Sequence, residues 1–172
     1  MEIVFAFACP TMVKKCSIKS GKNGTTSDLS ELNYNLEFKV IDETMRKIRL
    51  AVNYKKVWAK NEDLQAICDL TPSVFHFSGH GFKDEKSKTG KDDFLLIENR
   101  KLESQELKSP EISKYFGKNS KIKVVLILSC HSQNIGQIFQ NIGIEHVICI
   151  QRKFAIDDQS CITFTRAFYE QL

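Results

Sequence analysis

Blocks of apolar residues recur along this chain, separated by polar stretches, and their spacing predicts alternating strands and helices. Ile3 to Ala8 is a continuous apolar run closed by Cys9-Pro10, which predicts a buried strand. Residues 14–30 are rich in Lys, Ser, Gly, Asn and Thr and read as a loop. Leu29, Leu32, Leu36, Val40 and Ile48 follow at helical spacing. A weaker strand is expected within Leu50 to Ala59. Asn61 then caps a short helix with Leu64, Ile67 and Cys68, ending at Thr71-Pro72. Val74 to Phe77 is a third strand, running into Ser78-Gly79-His80-Gly81. A long polar loop to Asp93 precedes a short apolar piece, Phe94 to Ile97. Ser109-Pro110 caps and opens a helix reaching Phe116. Lys123 to Leu128 is the strongest strand signal and stops at Ser129-Cys130-His131-Ser132. Ile135, Ile138, Phe139 and Ile142 give a helical stripe closed by Gly143. Val147 to Ile150 is a strand, and Asp157-Asp158 opens a last helix with Cys161, Phe164 and Phe168 on one face.

The strands are apolar on both faces, as in a parallel sheet covered by helices. The expected fold is α/β, a sandwich with a mainly parallel sheet and helices on both faces. In such sheets ligands sit beyond the carboxyl ends of the strands. A length of 172 residues predicts a single domain, 1–172.

Composition narrows the function classes. Apolar residues are 42% and charged residues 27%, which excludes wholesale disorder. The net charge of +4 is mild and the lysines are mixed with acids, so no basic face for nucleic acid is expected. The apolar run at the start lacks a basic leader and is too short to span a bilayer, so no membrane partner is expected. Six cysteines (9, 16, 68, 130, 149, 161) lie far apart with no CxxC pair. That usage predicts reduced thiols and an intracellular, cytoplasmic setting.

Two strands end in reactive side chains, His80 and Cys130. If those strands are parallel neighbours, both emerge on one sheet edge, 50 positions apart in sequence. A free thiol with a pKa of about 8.5 is a modest nucleophile at neutral pH. A nearby imidazole takes its proton and later protonates a leaving amine. Gly79 and Gly81 allow a tight turn and leave an N–H open to an oxyanion.

Phe77-Ser78-Gly79-His80-Gly81 and Leu128-Ser129-Cys130-His131-Ser132 resemble the His-Gly and Cys boxes of caspase-like cysteine peptidases. The chain most resembles the CHAT branch, which includes separase-like proteases. Val147-Ile148-Cys149-Ile150-Gln151, then Ile156-Asp157-Asp158, Phe164 and Phe168-Tyr169 resemble that branch's run after the cysteine strand. The resemblance implies a caspase-like three-layer sandwich and a thiol protease with a cysteine–histidine dyad. His80 would be general base and acid, Cys130 the nucleophile. The backbones of Gly81 and Cys130 would form the oxyanion hole. The implied reaction is peptide-bond hydrolysis through a thioester, with no metal or organic cofactor. Partners would be a protein or peptide substrate and a regulatory protein or flanking domains. Caspase-like domains commonly continue with a further strand after the last helix seen here. The chain therefore reads as a minimal domain or a fragment of a larger protein.

His76 lies four positions before His80 and reads as a hydrogen-bonded core histidine; with Ser129 it would support the site from behind. His131 reads as structural or as part of the site rim. A zinc site of His76, His80, Cys130 and His131 lacks the usual ligand spacing. Asp157 and Asp158 cap the last helix; alternatively one of them, with Asp158 favoured, lines a pocket for a basic substrate side chain. Phe154, in Arg152-Lys153-Phe154, would line that pocket if it is apolar. The Lys-, Asp- and Glu-rich loop from Phe82 to Asp93 is a candidate regulated or cleavable segment. Three readings result: a cysteine endopeptidase, latent or active; a non-catalytic signalling or scaffold domain of the same fold; and a thiol hydrolase of small amides.

Overall fold

The computed structural model describes residues 1–8, 32–48, 51–83, 93–117 and 121–172. The loop expected at 14–30, Cys9, Cys16, Leu29, Leu50 and most of the 82–93 segment lie outside the described residues. In chain order the elements are β1 (Glu2–Phe7), α1 (Tyr34–Lys47), β2 (Asn53–Trp58), α2 (Leu64–Asp69), β3 (Val74–Ser78), β4 (Gly81–Phe82), β5 (Phe94–Glu98), β6 (Ser104–Leu107), α3 (Ser109–Phe116), β7 (Val124–Leu128), α4 (Gln133–Asn141), β8 (His146–Cys149) and α5 (Asp158–Tyr169).

Five strands pair in parallel in the order β2-β1-β3-β7-β8. Because strand side chains alternate, each central strand feeds two cores. Phe75, Phe77, Val125 and Ile127 pack against Leu64 and Ile67 of α2, Ile112 and Phe116 of α3, and Ile135 and Phe139 of α4. On the opposite face Ile3, Phe5, Phe7, Val74 and Leu126 pack against Tyr34, Ile41 and Met45 of α1 and Tyr169 of α5. The result is an α/β fold of three layers, with helices on both faces of the sheet.

A second sheet, β4-β5-β6, is antiparallel. It begins where β3 leaves the main sheet. Gly81 pairs with Leu95 and Phe82 with Phe94, and Leu96 N–H donates to the His80 carbonyl at 2.9 Å. The sequence pattern gives no sign of β6, whose Ser104-Gln105-Glu106-Leu107 carries only one large apolar residue.

Several local expectations need correction. Residues 61–63 form a 3₁₀ turn and α2 starts at Leu64 without a side-chain cap, so Asn61 is not its cap. That helix ends at Asp69, and Thr71 beyond it takes a left-handed φ of 48°. Ser109 is the first residue of α3 rather than its cap, although Pro110 sits in the first turn as expected. The buried side of α1 is Tyr34, Glu37, Val40, Ile41, Thr44 and Met45, while Leu36 is exposed. Val40 lies on the buried side as expected and Leu32 and Ile48 pack against the same core, so only Leu36 among the expected positions described falls outside it; the stripe also contains a glutamate and a threonine. On α5 the buried residues are Cys161, Ile162, Thr165 and Tyr169. Phe164 instead stands exposed, its ring stacked on Phe168 at 6.1 Å. The edge strands β2 and β8 are only partly buried, unlike the apolar central strands. No helix among the described residues is long and apolar enough to cross a membrane.

Candidate active site

The pairing of β3 with β7 brings the two reactive boxes together. Their register runs from Val74↔Val124 to Ser78↔Leu128. His80 and Cys130 each stand two residues past that last pair, on one carboxyl edge. Parallel neighbours lie about 4.8 Å apart, so the two connections leave the sheet side by side. Ser129 Oγ donates to the Gly79 carbonyl at 2.8 Å and is buried, joining the boxes directly.

Gly81 is required by close approach. A Cβ there would lie 2.2 Å from the Cys130 carbonyl oxygen and 3.1 Å from Ser129 Oγ. The chain bends at Gly79 between β3 and β4; neither Gly79 nor Gly81 has the left-handed φ that favours glycine, which among the described glycines only Gly143 has. The left-handed residue at this edge is His131, with φ 56°. It reverses the chain between Cys130 and α4. Its N–H donates to the Phe154 carbonyl at 3.3 Å and its Nδ1–H to the Arg152 carbonyl at 2.8 Å.

The segment after β8 crosses over the cysteine. Ile156 N–H donates to Cys130 Sγ at 3.4 Å, and the Cys130 S–H donates to the Ile156 carbonyl at 3.5 Å. Phe154 in this segment is 52% exposed, with Lys153 Nζ 4.8 Å from its ring centroid. Asp157 caps α5, accepting from Ser160 N–H at 2.9 Å and Ser160 Oγ at 2.6 Å. Those bonds hold its carboxyl below the usual carboxylate range. Asp158 Oδ2 accepts Asn33 N–H at 3.1 Å, tying α5 to the start of α1.

His76 is 1% exposed, four residues behind His80 on β3. Its Nδ1 and Tyr169 Oη share a hydrogen bond of 3.1 Å, and its Nε2 lies 3.7 Å from Glu37 Oε1. Burial pushes its pKa down to about 3, so the ring is neutral at ordinary pH. Glu37 is equally buried and accepts from Ser78 Oγ at 2.6 Å and Thr165 Oγ1 at 3.3 Å. Desolvation raises its pKa, against the lowering effect of those two bonds. Glu37, Thr165 and Asp93 are polar residues of this region that sequence reasoning missed. The available signal for Glu37 was its helical spacing from Tyr34, Val40 and Ile41.

The remaining described thiols, Cys68, Cys149 and Cys161, are held in their protonated form by burial. Burial pushes Cys68 and Cys161 up to about 12 and also raises Cys149. Among the described residues no three His, Cys, Asp or Glu side chains gather where they could hold a metal ion. No family model matches the chain, and no curated protein matches it in sequence.

Proposed function

We propose that the chain is a caspase-like cysteine endopeptidase of the CHAT type. The observation that carries this reading is the β3–β7 register, with His80 and Cys130 each two residues beyond Ser78↔Leu128. In the proposed reaction His80 takes the thiol proton as Cys130 attacks the scissile carbonyl carbon. The oxyanion that forms is met by the N–H groups of Gly81 and Cys130. His80 then gives its proton to the leaving amine, the C–N bond breaks and a thioester remains. Water, deprotonated by His80, hydrolyses the thioester and restores the thiol. Phe154 stands exposed on the segment that crosses Cys130 at Ile156, which supports a pocket role for it. Asp157 is committed to capping α5, and the Asp158 carboxylate already receives Asn33, which weakens the case for a basic substrate side chain in that pocket.

One observation favours the second reading, a non-catalytic signalling or scaffold domain. Both hydrogen bonds described for Cys130 Sγ go to the Ile156 main chain, which holds the thiol in place as a structural group. A latent enzyme opened by a regulatory protein or flanking domains has the same starting point. Labelling by peptidyl electrophiles separates the readings. An enzyme is labelled at Cys130, and His80→Ala abolishes labelling. Labelling that ignores His80, or none at any pH with or without flanking sequence, points to the scaffold.

A further inference from the structure

We propose that Asp93 and Arg152 are positioning residues that lock the His80 arm of the site to the Cys130 arm. The proposal rests on the peptidase reading of the same site. Past Ser78↔Leu128 the two connections part company. The His80 arm enters the small antiparallel sheet, where Leu96 of β5 holds its carbonyl. The Cys130 arm turns at His131 into α4. At their base the arms are joined by Ser129 Oγ on the Gly79 carbonyl; farther out, between the small sheet and α4, a second tie is needed to hold them in register.

Asp93 supplies that tie. It stands immediately before β5, on the His80 side, and its side chain is 0% exposed. Arg152 grips it with a fork, Nε to Oδ2 at 2.8 Å and Nη2 to Oδ1 at 3.1 Å. Asn134, in the first turn of α4, adds a third bond, Nδ2 to Oδ2 at 2.7 Å. Arg152 is itself fastened to the Cys130 arm by its main chain. Its N–H donates to Gln133 Oε1 at 3.0 Å, and its carbonyl accepts the His131 Nδ1–H already described. One carboxylate on the His80 arm thereby meets the side chains of Asn134 and Arg152, and Arg152 is bonded through its main chain to His131 and Gln133. A bidentate guanidinium–carboxylate pair fixes angle as well as distance, which a lysine cannot do. A buried carboxylate without such partners is strongly unfavourable, so the two arms are held in one arrangement.

The test uses the full chain and reads the alkylation rate of Cys130 from pH 5 to 9 by mass spectrometry. The variants are His80→Ala, Arg152→Gln, Arg152→Lys, Asp93→Asn and the His80→Ala/Arg152→Gln double variant. Circular dichroism establishes which are folded. The expected wild-type rate at neutral pH exceeds that of His80→Ala by about 10²-fold or more, the scale of general-base assistance. Arg152→Gln and Asp93→Asn fall to the His80→Ala level, and the double variant falls no further, because residues acting as a unit are non-additive. Arg152→Lys recovers part of the rate. A folded Arg152→Gln that keeps the wild-type rate and its dependence on His80 overturns the positioning role and leaves the dyad standing. A wild type indifferent to His80 overturns the peptidase reading, and this proposal with it. If Arg152→Gln does not fold, Arg152→Lys decides, since it keeps the charge and loses the fork: a reduced rate supports the proposal and a wild-type rate overturns it.

Discussion

Gly81→Ala tests the join between the two boxes most directly. The added Cβ would lie 2.2 Å from the Cys130 carbonyl oxygen, about 1 Å inside an ordinary carbon–oxygen contact. The obstacle is backbone, and the next atoms, Ser129 Oγ and Cβ at 3.1 and 3.3 Å, belong to a side chain already bonded to Gly79. Nothing flexible is at hand to give way. Overpacking a rigid site costs about 1–3 kcal/mol, and this geometry argues for about 3. For a domain of this length that is a melting temperature lower by about 6–12 °C. Relief of the clash displaces the Cys130 carbonyl by about 1 Å, a misplacement that costs roughly 10²-fold in a reacting geometry. Thermal unfolding and Cys130 labelling are to be measured together, with Gly143→Ala as the control. Gly143 has φ 98°, and a Cβ added there would meet nothing within 4 Å, so alanine is strained without touching the site. Its cost of about 1–2 kcal/mol comes from the left-handed backbone alone, and Cys130 labelling is unchanged. A Gly81→Ala protein that melts at the wild-type temperature, or labels at the wild-type rate, refutes the close approach.

Four further outcomes rest on the same geometry. At pH 7.5 a thiol with a pKa of about 12 is ionised in fewer than about one molecule in 10⁴, so Cys68 and Cys161 resist iodoacetamide in the folded protein; peptide mapping that finds either alkylated quickly contradicts their burial. His76 binds its proton near pH 3 when folded and near 6.5 when unfolded. The unfolded state therefore holds more protons between those values, and stability falls with acidification across that window by up to about 1.4 kcal/mol per pH unit; urea titrations should find this limb reduced in His76→Gln. Glu37 runs the other way, because its pKa is raised on folding: its contribution is full below the unfolded value and is lost as pH rises through the folded one. Glu37→Gln should therefore gain stability relative to wild type as pH rises, and a constant difference across pH would contradict this. Asp157→Ala removes a helix cap outside the reacting groups, so it should lower the melting temperature by about 2–4 °C and leave Cys130 labelling intact.

Local pattern was enough for the central strands and for the two boxes at their ends. Val74–Ser78 and Val124–Leu128 are too apolar to be anything but buried, and His80 and Cys130 follow directly as polar interruptions. Reading such runs is a matter of neighbours in sequence, and periodicity carries it. Which strands lie side by side is not local, and only the folded chain made β3 and β7 partners. The same holds for every polar pair that shapes the site. Glu37 with Ser78, His76 with Tyr169, and Asp93 with Arg152 are separated by 41, 93 and 59 positions. A buried charge looks like a surface charge in sequence, because its partner comes from a distant element. Glu37 and Asp93 were therefore unreadable until the fold supplied the hydroxyls and the guanidinium that make their burial tolerable. Gly81 marks the same boundary: sequence placed a glycine beside His80, and tertiary structure gave the reason, the Cys130 carbonyl from the neighbouring strand's end, which leaves no room for a side chain.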